Sequence, residues 1–388
     1  MRPARPANLA VFALATVLAA AACDNGVVSP TVPDDSRGVP ADTTLAPAPT
    51  YEFGAKFEPP VGRVVHGMGQ WVNGNPQYLA MLPAANQPGA ELMFITLGDT
   101  PRGWVPAEIA AKMASIHAAG RIPVMDLSLR GLQPTQAEYN LLADKTYGID
   151  SAVAYTSQYD ARIQSFIGVL RAFGHPVMLR LGGEFSGWWN GYHPYAYPVA
   201  FRKIVNLFRA GGATNVAFVW CYEPAAADDF DAVDSNGNAK WFPGDDVVDW
   251  FSIDLFAAHD VGGATGGHGS TTTAYGRTIR YLDMAVAHRR PVIIAESSPS
   301  QFDLRTPAQA ADAWTQWFTP YFALIATRSE IKWFHYINYD WTKAAYYAST
   351  GWKNNDLTAS ASLSALYLQE VAKPVYLHAN ELFLLKGW

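Results

Sequence analysis

Eight short apolar runs punctuate the chain, at 63–69, 91–97, 122–127, 177–181, 215–221, 248–256, 291–296 and 331–338. Several are nearly continuous in Val, Ile, Leu, Phe and Trp instead of alternating apolar with polar. Parallel strands covered on both faces read this way, whereas a strand with one wet face alternates. Between most runs lies a stretch of helix length with apolar residues at helical spacing. Residues 106–119 open on Pro106 and stop at Gly120, the expected polarity of a helix. Segments 155–172, 196–210, 272–288 and 307–327 read similarly, with Gly174 and the pair Gly211-Gly212 closing the first two. Strand–helix alternation repeated in this way predicts an α/β fold, a (β/α)8 TIM barrel in one domain. No Gly-x-Gly-x-x-Gly or phosphate loop follows the first run, which argues against an open nucleotide-binding sheet.

The N-terminal segment falls outside this pattern. Arg2 and Arg5 precede an apolar run, 9–22, that is short for a bilayer span. It ends in Ala20-Ala21-Ala22-Cys23, which is similar to a bacterial lipobox, although Leu18 stands five residues before the cysteine instead of three. Residues 1–23 are therefore expected to be a signal peptide, with Cys23 lipidated and the exported chain held at a membrane through that lipid anchor. Cleavage at an A-x-A site and free secretion is the alternative. Residues 24–50, rich in Pro, Ser, Thr, Asp and Ala, read as a flexible tether, which leaves 51–388 for the barrel. The second cysteine, Cys221, lies in an apolar run, so a buried thiol is expected and no disulfide framework.

Composition narrows the class. Hydrophobic residues make up 49% and charged ones 16%, as suits a chain with a large core. A formal net charge of −6 gives no invitation to nucleic acid. A monomer is expected. The 13 Trp and 19 Tyr supply core, and also flat faces on which sugar rings stack.

In a barrel of this kind the loops after the strands gather at one end, so polar residues closing the apolar runs are the candidates for chemistry. They are His66, Asp99, Asp126, Glu184, Glu223, Asp254, His259, Glu296, Asn338 and Asp340. Carboxylates dominate and positive charge is scarce, which fits a neutral polyol better than a phosphate. The stretch 176–194, PVMLRLGGEFSGWWNGYHP, carries an apolar strand into Arg180 and Glu184. Burying such groups is costly unless the strand end is a site. Glu296 closes the wholly apolar PVIIAE in the same manner. Cleaving a glycosidic bond needs a proton donor and a second carboxylate, and barrel closure would bring strands four and seven across one opening. Arg180 is expected to keep a carboxylate ionised or oriented.

The remaining assignments follow by residue type. Trp188, Trp189, Trp220, Trp333 and Trp341 are candidate stacking platforms. Asn338, Asp340 and Trp341 are placed under the cleaved sugar, and His66, Asp99, Asp126 and Asp254 at its hydroxyls. Glu223 is the rival carboxylate, ranked lower because Pro224 and an alanine run after it look like loop. The nine histidines show no paired ligand spacing, and 234–238 lacks the full ligand alternation of a calcium loop, so no metal and no cofactor is expected. A Gly-x-Ser-x-Gly elbow is also missing, which argues against a serine hydrolase.

Residues 180–189, RLGGEFSGWW, resemble the acid/base strand of glycoside hydrolase family 26. Residues 215–220, 241–254 and 291–296 are similar to its fifth strand, the entry to its sixth and its nucleophile strand. The resemblance spans roughly 180–341; before 176 only the barrel pattern matches. It implies retaining, endo-acting hydrolysis of a β-linked polysaccharide, with Glu184 as acid/base and Glu296 as nucleophile. β-Mannan is the first substrate it suggests, with β-glucan and β-xylan next. The chain departs from the family at Gly183, where a histidine is usual, and at Phe256, where a tyrosine is usual. Those departures motivate the alternative of a non-catalytic glycan-binding barrel lipoprotein.

Overall fold

The computed structural model describes residues 48–69, 74–98, 104–131, 148–262 and 272–388. The expected signal peptide with Cys23, the expected tether up to residue 47, and Asp99 lie outside the described residues.

All eight apolar runs are strands: β1 (Val64–Met68), β2 (Ala90–Thr96), β3 (Ile122–Ser128), β4 (Val177–Glu184), β5 (Val216–Tyr222), β6 (Trp250–Leu255), β7 (Val292–Ser297) and β8 (Ile331–Tyr336). Each pairs in parallel with its neighbour in sequence, and β1 bonds both β8 and β2, so the sheet closes. A two-residue β9 (Tyr376–Leu377) adds to β1. The expected (β/α)8 barrel is the observed fold.

The helical segments fall where the spacing put them, with local changes. Ala196–Ala210 buries Tyr197, Phe201, Ile204, Val205 and Phe208, an i, i+4, i+7, i+8, i+11 stripe against the sheet. Asp160–Phe173 ends on Gly174 at φ 71°, a left-handed C-cap that glycine adopts without steric cost. The expected helix 155–172 is instead two pieces, since Asp150–Tyr155 forms a separate turn of helix. The expected helix 307–327 runs its full length through a π-helical turn at Trp314–Phe318.

Two apolar layers hold the barrel, and strand parity decides which residue joins which. In β5, Val216, Phe218, Trp220 and Tyr222 face the helices, whereas Ala217 and Val219 face the barrel axis. In β8, Phe334 and Tyr336 face out and Trp333 faces in. The inner layer, with Val65, Leu92, Val124, Met178, Trp250, Ile293 and Trp333, fills the bottom of the barrel. The same parity then sends Asp126, Arg180 and Asp254 inward above it, where the apolar plug ends.

Candidate active site

Arg180 is the centre of the site. It is 1% exposed, and its guanidinium reaches three carboxylates. Nη1 donates to Glu296 Oε1 at 2.5 Å, Nη2 donates to Asp254 Oδ2, and Nε lies 3.5 Å from Asp126 Oδ2. Burial opposes the charge on Arg180, but Asp254, Glu296 and Asp126 outweigh it and hold the guanidinium protonated. The other oxygen of Asp254 accepts the backbone N–H of Glu296 at 2.9 Å. Glu296 is thus held by its side chain through Arg180 and by its backbone through Asp254.

Glu184 reaches the same point by a distortion of β4. The ladder between β4 and β5 shifts register between Arg180 and Glu184. Gly182 and Gly183 fill the bulge with φ 83° and 59°. A Cβ on Gly183 would meet Asp126 Oδ2 at 2.7 Å, and one on Gly182 would meet the Tyr197 ring at 2.6 Å. The sequence can make this bulge because both positions are glycine. Glu184 then turns, half-buried, into the cleft, where Trp189 Nε1 donates to its Oε2. One carboxylate oxygen from each of Glu184, Asp254 and Glu296 lies within 4.8 Å of the others. Arg180 already bridges Asp254 and Glu296, so the positive charge in this cluster is a guanidinium.

Burial acts strongly on Glu184, Asp126 and Asp254. Burial, and next the charge of Glu296, push the Glu184 carboxyl up to about 7, against the pull of Arg180 and the Trp189 hydrogen bond. Burial raises Asp126 to about 6 despite Arg180, and raises Asp254 well above the ordinary carboxylate range. Glu184 can hold a proton near neutral pH, as a general acid must.

A cleft of about 840 Å³ opens above these groups. From the loop after β4 come Trp188, which is 54% exposed, and Trp189, packed edge to face with ring centroids 5.6 Å apart. From the loop after β8, across the barrel, come Trp341, Tyr346, Tyr347 and Trp352. The Tyr347 ring packs 4.6 Å from Trp341 and 4.9 Å from Trp352, and Trp352 packs 4.8 Å from Phe256. Trp341 Nε1 donates to Ser298 Oγ at the end of β7. Burial, then the charges of Glu296 and Glu184, raise the Tyr347 phenol above its ordinary range, so its hydroxyl stays a donor beside the two glutamates.

Of the residues singled out from sequence, Arg180, Glu184 and Glu296 meet at the cleft floor with Asp126, and Trp188, Trp189 and Trp341 line the walls. Five others are corrected. Trp220 faces the helices, stacked on Phe185 at 4.4 Å, because β5 parity points it outward. Trp333 is sealed in the inner plug, 6.0 Å from Trp250. His66 points outward from β1 and bonds Tyr78 Oη at 2.5 Å, stacked against Phe334. Asn338 fastens the β8 loop to Gly74 and to residues 356–357 through three hydrogen bonds. Asp254 is 0% exposed, so it orients Arg180 and Glu296 from beneath and does not reach a sugar.

Sequence reading missed Phe94, Arg130, Tyr346, Tyr347 and Trp352, all of which line the cleft. Phe94 had a usable signal, since it shares β2 parity with the inward Leu92. The β8-loop aromatics had only their clustering.

Compared with known proteins, the chain is 29% identical over 255 residues to β-1,3-xylanase TXYA of a Vibrio sp., matching 60% of this chain and 51% of that one. It is 27% identical over 294 residues to a β-1,3-xylanase of an Alcaligenes sp., matching 70% and 57%. The chain thus spans about half the length of these relatives. Its fold is similar to that of a modular endo-β-1,4-mannanase from Cellulomonas fimi, with a TM-score of 0.53 and 16% identity over 83% of this chain and 73% of that one. No family model matches the chain.

Proposed function

We propose that this protein is a retaining, endo-acting glycoside hydrolase of a β-linked polysaccharide. The observation that carries the reading is the pair Glu184 and Glu296, with oxygens within 4.8 Å across one cleft. Retaining enzymes space their carboxyl groups roughly 5–5.5 Å apart, whereas inverting ones leave roughly 6.5–9.5 Å for a water. The pair also has opposite surroundings. One is bonded to a guanidinium, the other is raised to about 7.

The cycle follows from that asymmetry. Protonated Glu184 donates its hydrogen to the glycosidic oxygen. Glu296 attacks the anomeric carbon from the opposite face, the bond to the leaving sugar breaks, and a glycosyl ester forms on Glu296. Glu184, now a carboxylate, takes a proton from water, and that water displaces Glu296 at the anomeric carbon. Two inversions return the original configuration. Arg180 holds Glu296 in line, and Trp189 orients Glu184. Trp188 and Trp352 offer faces for the sugar rings, with the buried Trp341 packed behind Trp352 and Tyr347.

β-1,3-Xylan is the substrate we place first, because the two similar proteins bear that activity in their names. β-Mannan, suggested by the sequence resemblance, comes second. At Gly183 the histidine of that resemblance would need φ near 59° and would crowd Asp126, so the sugar contact it would make is not available here. The test is a panel of β-1,3-xylan, β-mannan, β-glucan and β-1,4-xylan, with the anomer of the first product read by NMR. Retained configuration from wild type, lost in both E184Q and E296Q, supports the reading. Glycan binding without release of reducing ends would instead favour a binding protein. Export and lipidation at Cys23 are part of the proposal. Metabolic labelling with a fatty acid, abolished in C23S, is the expected result.

A further inference from the structure

The end of the barrel opposite the cleft carries a second cavity, of about 660 Å³. It lies where Pro176 and Asn215 precede β4 and β5, beside the last turn of the helix Pro106–Ala118. Its described lining includes Lys56, Lys386, His117, His175 and Trp388, and no Asp or Glu side chain. Lys56 Nζ donates to Val216 O at 3.0 Å and Lys386 Nζ donates to Gly54 O, so each ammonium keeps further hydrogens to give. Neither has a carboxylate partner among the described residues. His117 and His175 stack with ring centroids 3.8 Å apart. Lysine keeps its charge at neutral pH, whereas imidazole titrates below it, so the fixed charge of the cavity is that of the two lysines.

Large rings flank this charge. Leu382 and Leu385 are buried in the inner plug with Phe57, which lays the C-terminal segment across the bottom of the barrel. Between and beyond them, Phe383 is 66% exposed and Trp388 is 47% exposed. Lysines beside exposed aromatic rings suit the boundary between water and a bilayer, where the ring meets the headgroup level and the ammonium meets phosphate. The chain also joins the barrel here. Tyr51 Oη donates to Leu384 O at 2.9 Å, and Phe57 N donates to Lys386 O at 2.9 Å. Residues 24–47 separate Cys23 from this compact unit. A flexible chain of that length reaches roughly 25–30 Å. So short a tether would hold the face near a membrane at an effective concentration on the order of mM, at which weak docking is enough.

Resting on the lipid-anchored reading of Cys23, we propose that this face docks on an anionic phospholipid surface. Lys56 and Lys386 meet headgroup phosphates, and Trp388 and Phe383 sit at the headgroup boundary. The catalytic cleft, at the other end of the strands, then faces away from the membrane and toward its polysaccharide. A lysine near an anionic bilayer strengthens binding roughly fivefold, so the pair accounts for roughly 25-fold.

Residues 48–388 hold the closed sheet and both apolar layers in one compact unit, so they are tested without the N-terminal segment and with no acyl chain to contribute. Cosedimentation with phosphatidylglycerol vesicles is compared with cosedimentation with phosphatidylcholine vesicles. Wild type is expected to bind the anionic vesicles at least tenfold more tightly, and to lose that preference as salt screens the charge. K56Q/K386Q, whose amides still donate to the two carbonyls, is expected to lose at least tenfold in binding at an unchanged melting temperature. K56R/K386R, which keeps the charge, retains binding. W388A weakens binding to both vesicles. Equal binding of wild type to the two vesicles, no binding to either, or a preference that salt leaves untouched overturns the proposal, whatever the stability of the variants. So does full binding by K56Q/K386Q. Inorganic phosphate bound in calorimetry without any vesicle preference would make the cavity a site for a free anion and overturn the docking. Fatty-acid labelling that fails at Cys23 sinks the anchor alone, because the vesicle assay does not use it.

Discussion

Replacing Arg180 by methionine tests the organisation of the site most directly. Methionine keeps much of the length and apolar stem but removes the guanidinium that Asp126, Asp254 and Glu296 share. Two unit charges 4 Å apart attract by about 4 kcal/mol at an effective dielectric of 20. Removing one partner of a buried pair costs about 3–5 kcal/mol, because the other is left buried and uncompensated. Three partners do not triple this, since the carboxylates can take up protons, and burial already lifts Asp126 and Asp254. That escape sets the pH dependence. A carboxyl whose pKa is higher folded than unfolded binds more protons in the folded state. Its cost is absent below the unfolded value near 4 and complete above the folded value. Urea unfolding of wild type and R180M at pH 5 and pH 8 should therefore show a small difference at pH 5 and a difference of about 3–5 kcal/mol at pH 8. Against a typical stability of roughly 5–15 kcal/mol, that is a large fraction. A difference that is equal at the two pH values, or larger at pH 5, would refute the shared-guanidinium argument. R180K, a point charge without the fork, should recover part of the stability and little of kcat/KM.

Three further outcomes are expected. Activity needs the proton on Glu184, so the alkaline limb of kcat/KM should fall near pH 7, and E184Q should remove that limb with a loss of about 10²–10⁴ on polysaccharide; a limb near pH 5 would contradict the burial of Glu184. G183A should cost about 1–2 kcal/mol from the left-handed backbone alone, read by thermal melting, and lower kcat as the new Cβ displaces Asp126. W220A should lose about 3–5 kcal/mol of stability with KM little changed, whereas W188A should raise KM with stability within about 0.5 kcal/mol of wild type.

The two glutamates and Arg180 were legible because each ends or interrupts an otherwise apolar strand, and burial of charge is too costly to be casual. The tryptophans were not sortable by type. Trp188, Trp220 and Trp333 carry the same side chain, yet one is 54% exposed and two are fully buried. What separates Trp220 from Glu223 is an odd number of residues along one strand. Reading that parity requires knowing which face is the barrel axis, and a run apolar on both faces does not say.

By itself the sequence determined the strand and helix alternation, hence the barrel, because hydrophobic periodicity is local and short elements carry it in full. It also determined where the charged residues interrupt the apolar pattern. Only the tertiary structure decided their partners. Asp126, Arg180, Asp254 and Glu296 come from four different strands, and no local rule states that one guanidinium serves three carboxylates. The aromatic wall of Tyr347 and Trp352 was likewise decided by closure of the barrel. Such contacts join residues far apart in the chain, and their energy depends on burial and distance, which exist only once the sheet is closed.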